Sequence, residues 1–369
     1  AQVFSSSPCT VGVLRPAMLD SRPYSERPEW KDVTPIKQND GPLPLVQIRY
    51  PPGFEETHDY FRAVQAANEY SQRALELTQD VIEHNSANYT AWYYRRRCLS
   101  ELKSDLHYEL ELTNAWSREN AKNYQVWYHR RWLIAELVAQ YEASEDADSA
   151  EKVKALGMSE LDKHMECMTV NDDFKNYNGW SHRQFIVQRF ALWERELEFV
   201  EELLLADIRN NSAWNHRYTV IRNSHWPLSD ETRNREIAYT TSAIRKCANN
   251  ESAWNYLGAF FGEGECRCTW DSSPLVETLC LDVIAEGDKQ EAPCRFADET
   301  LARILEAKGK HMEAISIFAK LKEVDKVRGN YWQWRIDVLQ QAGAKGEGIG
   351  ATSSGYTCGT QPPVAPTAE

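Results

Sequence analysis

Lys122, Lys175 and Arg209 each stand immediately before an asparagine: Asn123, Asn176 and Asn210. Asparagine is among the best helix N-caps. Each of these cations therefore falls at the start of a helix, where the positive end of the dipole disfavours it by roughly 0.3–1 kcal/mol. A basic side chain beside free amide donors makes an anion cradle, and a phosphate would turn that repulsion into attraction. The plainer reading is that each long side chain swings into solvent, and spacing alone leaves both open. Tyr89, Tyr124 and Tyr177 follow Asn88, Asn123 and Asn176. At the first helical position they project from a rim, where they line a shared groove or cover the ends of their own helices.

The elements that position these residues repeat. Asn88-Tyr89-Thr90-Ala91-Trp92, Asn123-Tyr124-Gln125-Val126-Trp127, Asn176-Tyr177-Asn178-Gly179-Trp180, Asn210-Asn211-Ser212-Ala213-Trp214 and Asn250-Glu251-Ser252-Ala253-Trp254 keep the four-residue step from asparagine to tryptophan, and Asn330-Tyr331-Trp332 echoes it. Three residues beyond the tryptophan stand Arg95, Arg130, Arg183 and Arg217, preceded in three cases by His129, His182 and His216. A period of roughly 34 to 40 residues accommodates two helices and two turns, so the fold class is all-α, a solenoid of antiparallel helical hairpins. The tryptophan falls one turn into each second helix and wedges against the neighbouring pair. The arginine shares its face and, buried there, needs carbonyl or carboxylate partners from the adjacent pair. Asparagine, tryptophan and arginine are thus expected to hold the array together.

A formal charge of −13 over 369 residues argues against nucleic acid or an anionic membrane as a main partner. No apolar run is long enough to span a membrane, and the first residues lack a charged-then-apolar signal, so a cytoplasmic location is expected. Nine cysteines at irregular spacings fit reduced thiols better than a disulfide framework. Cys266-Arg267-Cys268 is half of a metal motif that nothing completes, and no metal is expected on this chain.

In chain order, residues 1–28 are expected to be weakly ordered and 29–54 to form an extended prolyl arm in which Val46, Ile48 and Tyr50 make a short strand or docking segment. The hairpin solenoid occupies 55–342, beginning with a helix over Glu55 to His84. An acidic insertion near 142–156 loops out or adds a short exposed helix. Further helices are predicted over 105–120, 193–209, 275–286, 294–308 and 311–325. Residues 343–369 form a low-complexity tail.

The repeated NYxxW…HRR units resemble those of the protein prenyltransferase α-subunits. Gln38-Asn39-Asp40-Gly41-Pro42, Val46-Gln47-Ile48 and Asp59-Tyr60-Phe61-Arg62-Ala63 are similar to the α-subunit shared by protein farnesyltransferase and geranylgeranyltransferase type I. The resemblance implies a right-handed superhelical crescent around an obligate β-subunit. It implies transfer of farnesyl or geranylgeranyl from its diphosphate to the cysteine of a C-terminal CaaX sequence, as on small GTPases. Zn²⁺ is then expected on the β-subunit and Mg²⁺ with the diphosphate. Lys122 matches the family's diphosphate-contacting lysine and Tyr177 a tyrosine near the same group. Gln125 matches the residue that binds the peptide carboxylate, Tyr89 one near its last side chain, and Tyr124 lies between. Asn178-Gly179 departs from the family's usual NYHAW. Two alternatives remain: a Rab geranylgeranyltransferase α-subunit, not expected to carry the QNDGP arm, and a non-catalytic helical-repeat scaffold that binds peptides.

Overall fold

The computed structural model describes residues 22–43, 45–46, 48–224, 227–262 and 267–345. The chain divides into two compact units, 1–192 and 193–369. The first contains α1 (Phe54–Ala67), α2 (Gln72–His84), α3 (Tyr89–Leu102), α4 (Leu106–Glu119), α5 (Tyr124–Ala143), α6 (Ser149–Val170) and α7 (Tyr177–Phe190). The second contains α8 (Glu196–Ala206), α9 (Asn211–Ser224), α10 (Asp230–Lys246), α11 (Glu251–Gly258), α12 (Pro274–Lys289), α13 (Arg295–Ala307), α14 (His311–Val324) and α15 (Gly329–Lys345). No strand occurs among the described residues; there is one isolated bridge, Phe261 to Cys268.

Hairpins α2/α3, α4/α5 and α6/α7 stack in the first unit, and α8/α9 and α10/α11 in the second. Each second helix starts where the motif requires. The side-chain oxygen of Asn88 accepts from Ala91 N–H, that of Asn123 from Gln125, that of Asn176 from Gly179 and that of Asn250 from Ser252. One turn on, the tryptophan ring is buried against the next pair: Trp92 meets Trp116 edge-on at 5.3 Å and His129 at 4.9 Å. Its indole N–H donates to the carbonyl six residues earlier, Ser86 for Trp92, Ala121 for Trp127 and Ile208 for Trp214. Burying a ring of this size removes on the order of 200 Å² of apolar surface from water, which makes the wedge the main apolar link between repeats.

The buried arginines find carboxylates on the first helix of the following pair. Arg95 grips Glu109 with both sides of its fork, at 2.6 and 2.7 Å, and His129 Nε2 lies 2.8 Å from the same carboxylate. Arg130 and His182 repeat this on Glu160. Arg217 repeats it on Glu236, where Tyr256 replaces the histidine. Burial alone would raise these acids. Arg95 and His129 outweigh it for Glu109, and Arg130 and His182 for Glu160, holding each at about 2. Burial pushes the His129 and His182 imidazoles below their ordinary value, and the carboxylates only partly oppose it.

Four expectations are corrected. The helix over Glu55 to His84 is two helices, because Asn68 ends α1 with a left-handed φ of 51° and the Ser71 hydroxyl caps α2. Order begins before residue 28: Tyr24 and Trp30 are buried against Tyr60 in an aromatic cluster. The stretch 142–156 does not loop out but lengthens α5 and α6, leaving only 144–148 as a turn. Val46, Ile48 and Tyr50 form no strand, since no described sheet edge offers them a ladder.

The prolyl arm is instead pinned to α1 by one backbone bond and several side chains. Ile36 N–H donates to the Asp59 carbonyl at 3.1 Å, Lys37 and Arg62 pair with the Asp59 carboxylate, and Arg62 reaches back to the Ile36 carbonyl. Beyond it, Leu43, Leu45, Val46 and Ile48 are exposed. Asn330 lies inside α15 rather than capping it, although Trp332 is buried like its counterparts. The six described cysteines are free thiols. Cys266, residues 1–21 and the tail from 346 onward lie outside the described residues.

Candidate functional site

Lys122 ends the turn between α4 and α5. Its side chain is 86% exposed and its Nζ lies 3.6 Å from Asp173 Oδ2, a loose surface pair worth little in water. Asn178 Nδ2 donates to the Lys122 carbonyl at 3.0 Å. That bond ties the backbone of Lys122 to the first turn of α7, where Tyr177 is exposed. Lys122 and Tyr177 therefore sit on one rim, linked through Asn178. The neighbouring glycine is also explained: a Cβ at Gly179 would lie 3.2 Å from His164 Nε2, closer than most side chains tolerate. Lys175 and Arg209 are exposed at the equivalent places.

Tyr89, Tyr124 and Gln125 come together in a different place. With Thr90, Tyr93, Arg96 and Tyr128 they line an open groove of about 480 Å³ between α3 and α5. Lys122 and Tyr177 are not in its lining. The tyrosines are exposed, and Gln125 is 7% exposed. The Gln125 backbone N–H is taken by the Asn123 cap, whereas its side-chain amide has no hydrogen-bond partner among the described residues. The amide is not sealed from water but opens to the groove, where it is free to meet an incoming acceptor.

Tyr93, Tyr128 and Arg96 were not singled out in the sequence. Their signal is there, because Tyr-x₃-Tyr-x₂-Arg recurs at 89–96 and 124–131, one repeat apart. A second open cavity, about 520 Å³, is bounded by Asn249, Glu251, Arg295, Asp298 and Asp325. Its arginine already pairs with Glu251 and Asp325 and offers little to an incoming anion. Among the described residues no group of three or more His, Cys, Asp or Glu side chains is placed to hold a metal ion, and no helix is long and apolar enough to cross a membrane.

The hairpins coincide with matches to the protein prenyltransferase alpha subunit repeat at residues 71–102, 106–137, 167–190, 193–224 and 233–263. The chain is 39% identical over 334 residues to the protein farnesyltransferase/geranylgeranyltransferase type-1 subunit alpha of Arabidopsis thaliana, covering 85% of this chain and 95% of that one. It superposes on a chain of Candida albicans protein geranylgeranyltransferase-I complexed with GGPP with a TM-score of 0.71 and 29% identity, covering 84% and 98%. By contrast, the human geranylgeranyl transferase type-2 subunit alpha is 26% identical over 192 residues, 52% of this chain and 25% of that one. The chain belongs to the family of protein farnesyltransferase/geranylgeranyltransferase type-1 α-subunits. It is an all-α hairpin-repeat subunit of a prenyl-transferring enzyme, and neither the type-2 subunit nor a non-catalytic scaffold is favoured.

Proposed function

We propose that this chain pairs with a β-subunit in the cytoplasm, and that the pair transfers farnesyl or geranylgeranyl from its diphosphate to a CaaX cysteine, the Lys122 rim meeting the diphosphate and the Gln125 groove the peptide end. The single observation that carries the division of labour is the Gln125 amide, unbonded within the described chain and open to a tyrosine-lined groove, apart from the solvated ammonium of Lys122 at a helix N-terminus.

Each side chain has a chemical task in this reading. As the thiolate forms a bond to the first carbon of the isoprenoid, the carbon–oxygen bond to the diphosphate breaks and negative charge collects on the departing oxygens. The Lys122 ammonium, paired among the described residues only loosely with Asp173, exchanges that carboxylate for the diphosphate and stabilises the developing charge. The Tyr177 hydroxyl, on the same rim, donates to the same group. Gln125 donates its amide to the C-terminal carboxylate of the peptide, Tyr89 packs beside the last residue, and Tyr124 spans the two. No described residues of this chain fit Zn²⁺ or Mg²⁺. The reading assigns Zn²⁺ to the β-subunit, where it would supply the cysteine as thiolate, and Mg²⁺ to the diphosphate; none of the tasks given to this chain's side chains depends on either.

The test is co-purification with a tagged β-subunit of the same enzyme class, followed by a prenylation assay on a CaaX peptide. The chain alone should be inactive and the pair active without an escort protein. A pair that forms yet prenylates only in the presence of an escort protein would return the Rab-type reading.

A further inference from the structure

The arginines inside this array meet carboxylates: Arg95 on Glu109, Arg130 on Glu160, Arg217 on Glu236. Arg131, next to Arg130 on α5, does not. Its guanidinium stands over the Phe185 ring of α7 at 5.3 Å, and its Nη2 donates to Ser181 Oγ at 2.8 Å. It has no ion pair among the described residues, and its Nε is buried without a partner. Burial pushes its pKa below the ordinary value, with Tyr177 opposing; arginine nevertheless stays protonated. A lasting positive charge is thus held between two helices, with no described carboxylate set against it, in a chain of formal charge −13.

The array itself does not require a cation at this point. Four residues beyond the tryptophan stand Arg96 and Arg131 in two copies, but Gln184, Tyr218 and Gly258 in the next three. What sets Arg131 apart is its place. Tyr177, Ser181 and Phe185 follow at four-residue steps on one face of α7, and Arg131 lies over the last two. Tyr177 stands one turn, about 6 Å, nearer the start of the helix, on the rim with Lys122. The charge therefore lies beneath that rim, and Tyr177 is near enough to act on it electrostatically. A cation attracts a phenol oxygen and repels its proton, so the O–H bond turns away from it. With Arg131 beneath, that direction is outward, where Tyr177 is exposed.

We propose that Arg131 is a positioning residue for prenyl transfer, its uncompensated charge turning the Tyr177 hydroxyl outward as a donor to the diphosphate. The proposal rests on the reading that places the diphosphate at the Lys122–Tyr177 rim. When the bond from the isoprenoid carbon to the diphosphate oxygen breaks, its electron pair stays on that oxygen. A hydroxyl already turned toward the oxygen stabilises the charge without reorganising. Arg131 gives up no proton and forms no bond to the substrate.

The test uses the full chain co-expressed with its β-subunit. Arg131→Gln removes the charge and supplies the residue type that the next copy carries at Gln184; Arg131→Lys keeps the charge. Each is made alone and together with Tyr177→Phe. The single-turnover rate of prenyl transfer is read with both substrates saturating, alongside the melting temperature and the salt concentration at which the pair separates on a sizing column. Arg131→Gln should slow the single turnover about tenfold, less than the roughly 10²–10³-fold for losing a direct donor. Arg131→Lys should recover most of that loss, and melting and association should not move. In the Tyr177→Phe background Arg131→Gln should cost less than about twofold, the non-additivity of two residues that act through one hydroxyl. An undiminished loss in that background overturns the proposal, because Arg131 then acts without the hydroxyl. A single Arg131→Gln variant within about twofold of the parental rate overturns it as well. Separation at lower salt would then place the counter-ion of Arg131 on the β-subunit, and unchanged association would leave Arg131 as a packing residue on Phe185. Should Arg131→Gln fail to melt cooperatively, Arg131→Met, which keeps an apolar stem on Phe185, is read in the same way. Tyr177→Phe at the parental rate defeats the reading of the rim itself, whereas a slow Tyr177→Phe beside a parental Arg131→Gln defeats this proposal alone.

Discussion

The side-chain amide of Asn123 and the indole of Trp92 donate to the same oxygen, the carbonyl of Ser86. Asn176 and Trp127 share the Ala121 carbonyl in the same way, and Asn250 and Trp214 that of Ile208. The asparagine therefore caps its own helix with Oδ1 and fastens it to the preceding repeat with Nδ2. Aspartate is as good a cap and suits a helix N-terminus, but it has no amide to donate. Asn123→Asp should lower the free energy of unfolding by about 1–3 kcal/mol, read from urea denaturation. An unchanged midpoint would mean the cap alone selects asparagine.

Removing one partner of a buried pair strands the other. Glu109→Gln leaves the Arg95 fork and His129 facing a neutral amide and should destabilise by about 3–5 kcal/mol. Glu109→Leu combined with Arg95→Met should recover a substantial part of that. Chemical denaturation of both variants checks this, and a double variant as weak as Glu109→Gln contradicts it.

Acid should weaken the fold in two stages. His129 and His182 have folded pKa values below their ordinary 6.5, so the unfolded chain binds their protons first. Their contribution is complete above pH 6.5 and is lost as pH falls toward the depressed values. Glu109 and Glu160, lowered from 4.5 to about 2, contribute fully above 4.5 and lose it as pH falls toward 2. Melting temperature measured from pH 8 downward should begin to drop near 6.5 and steepen below 4.5. A flat profile between pH 8 and 5 would remove the histidines from the account.

Lys122→Ala removes an exposed ammonium from a loose contact with Asp173, so stability and assembly should not change. Turnover should fall about 10²–10³-fold, the scale for losing one donor to developing charge, with Zn²⁺ content of the pair unaltered. Steady-state kinetics and metal analysis check this. Failure of Lys122→Ala to assemble with the β-subunit would make the residue structural.

Gln125→Leu separates packing from binding. Because Gln125 is largely enclosed and its amide bonds to none of the described residues, an apolar side chain of similar volume should leave stability unchanged. Affinity for a CaaX peptide should nevertheless fall about tenfold, measured by anisotropy. Lost stability with intact peptide affinity would reverse the assignment.

Much of this was legible in the sequence because it depends on local geometry. An asparagine four residues before a tryptophan fixes both a cap and a wedge, and the positions of α3, α5, α7, α9 and α11 follow. The partners of the arginines were not legible. Their glutamates lie 14, 30 and 19 residues downstream of Arg95, Arg130 and Arg217, since helix lengths differ from pair to pair and the longer α5 and α6 push Glu160 away. Nor did spacing separate the rim from the groove. Lys122 and Gln125 are three residues apart, yet a cap lies between them, and one faces water while the other is enclosed. Tyr93 and Tyr128 belong to the groove through the second turn of their helices, which an inspection limited to the first turn passes over.

The carbonyl that serves two donors also sets how the array can change in length. Excising Ala87 through Ala121 would splice Ser86 onto Lys122 and set the Ser86 oxygen where the Ala121 oxygen had been, ready for Trp127 and Asn176. A cut a few residues longer or shorter changes the spacing between α2 and α5, so that the carbonyl six residues before Trp127 no longer lies where Asn176 reaches it. Shortening is therefore quantised: whole modules can be dropped while the seam re-forms, whereas fractional deletions leave a gap that neither neighbour closes.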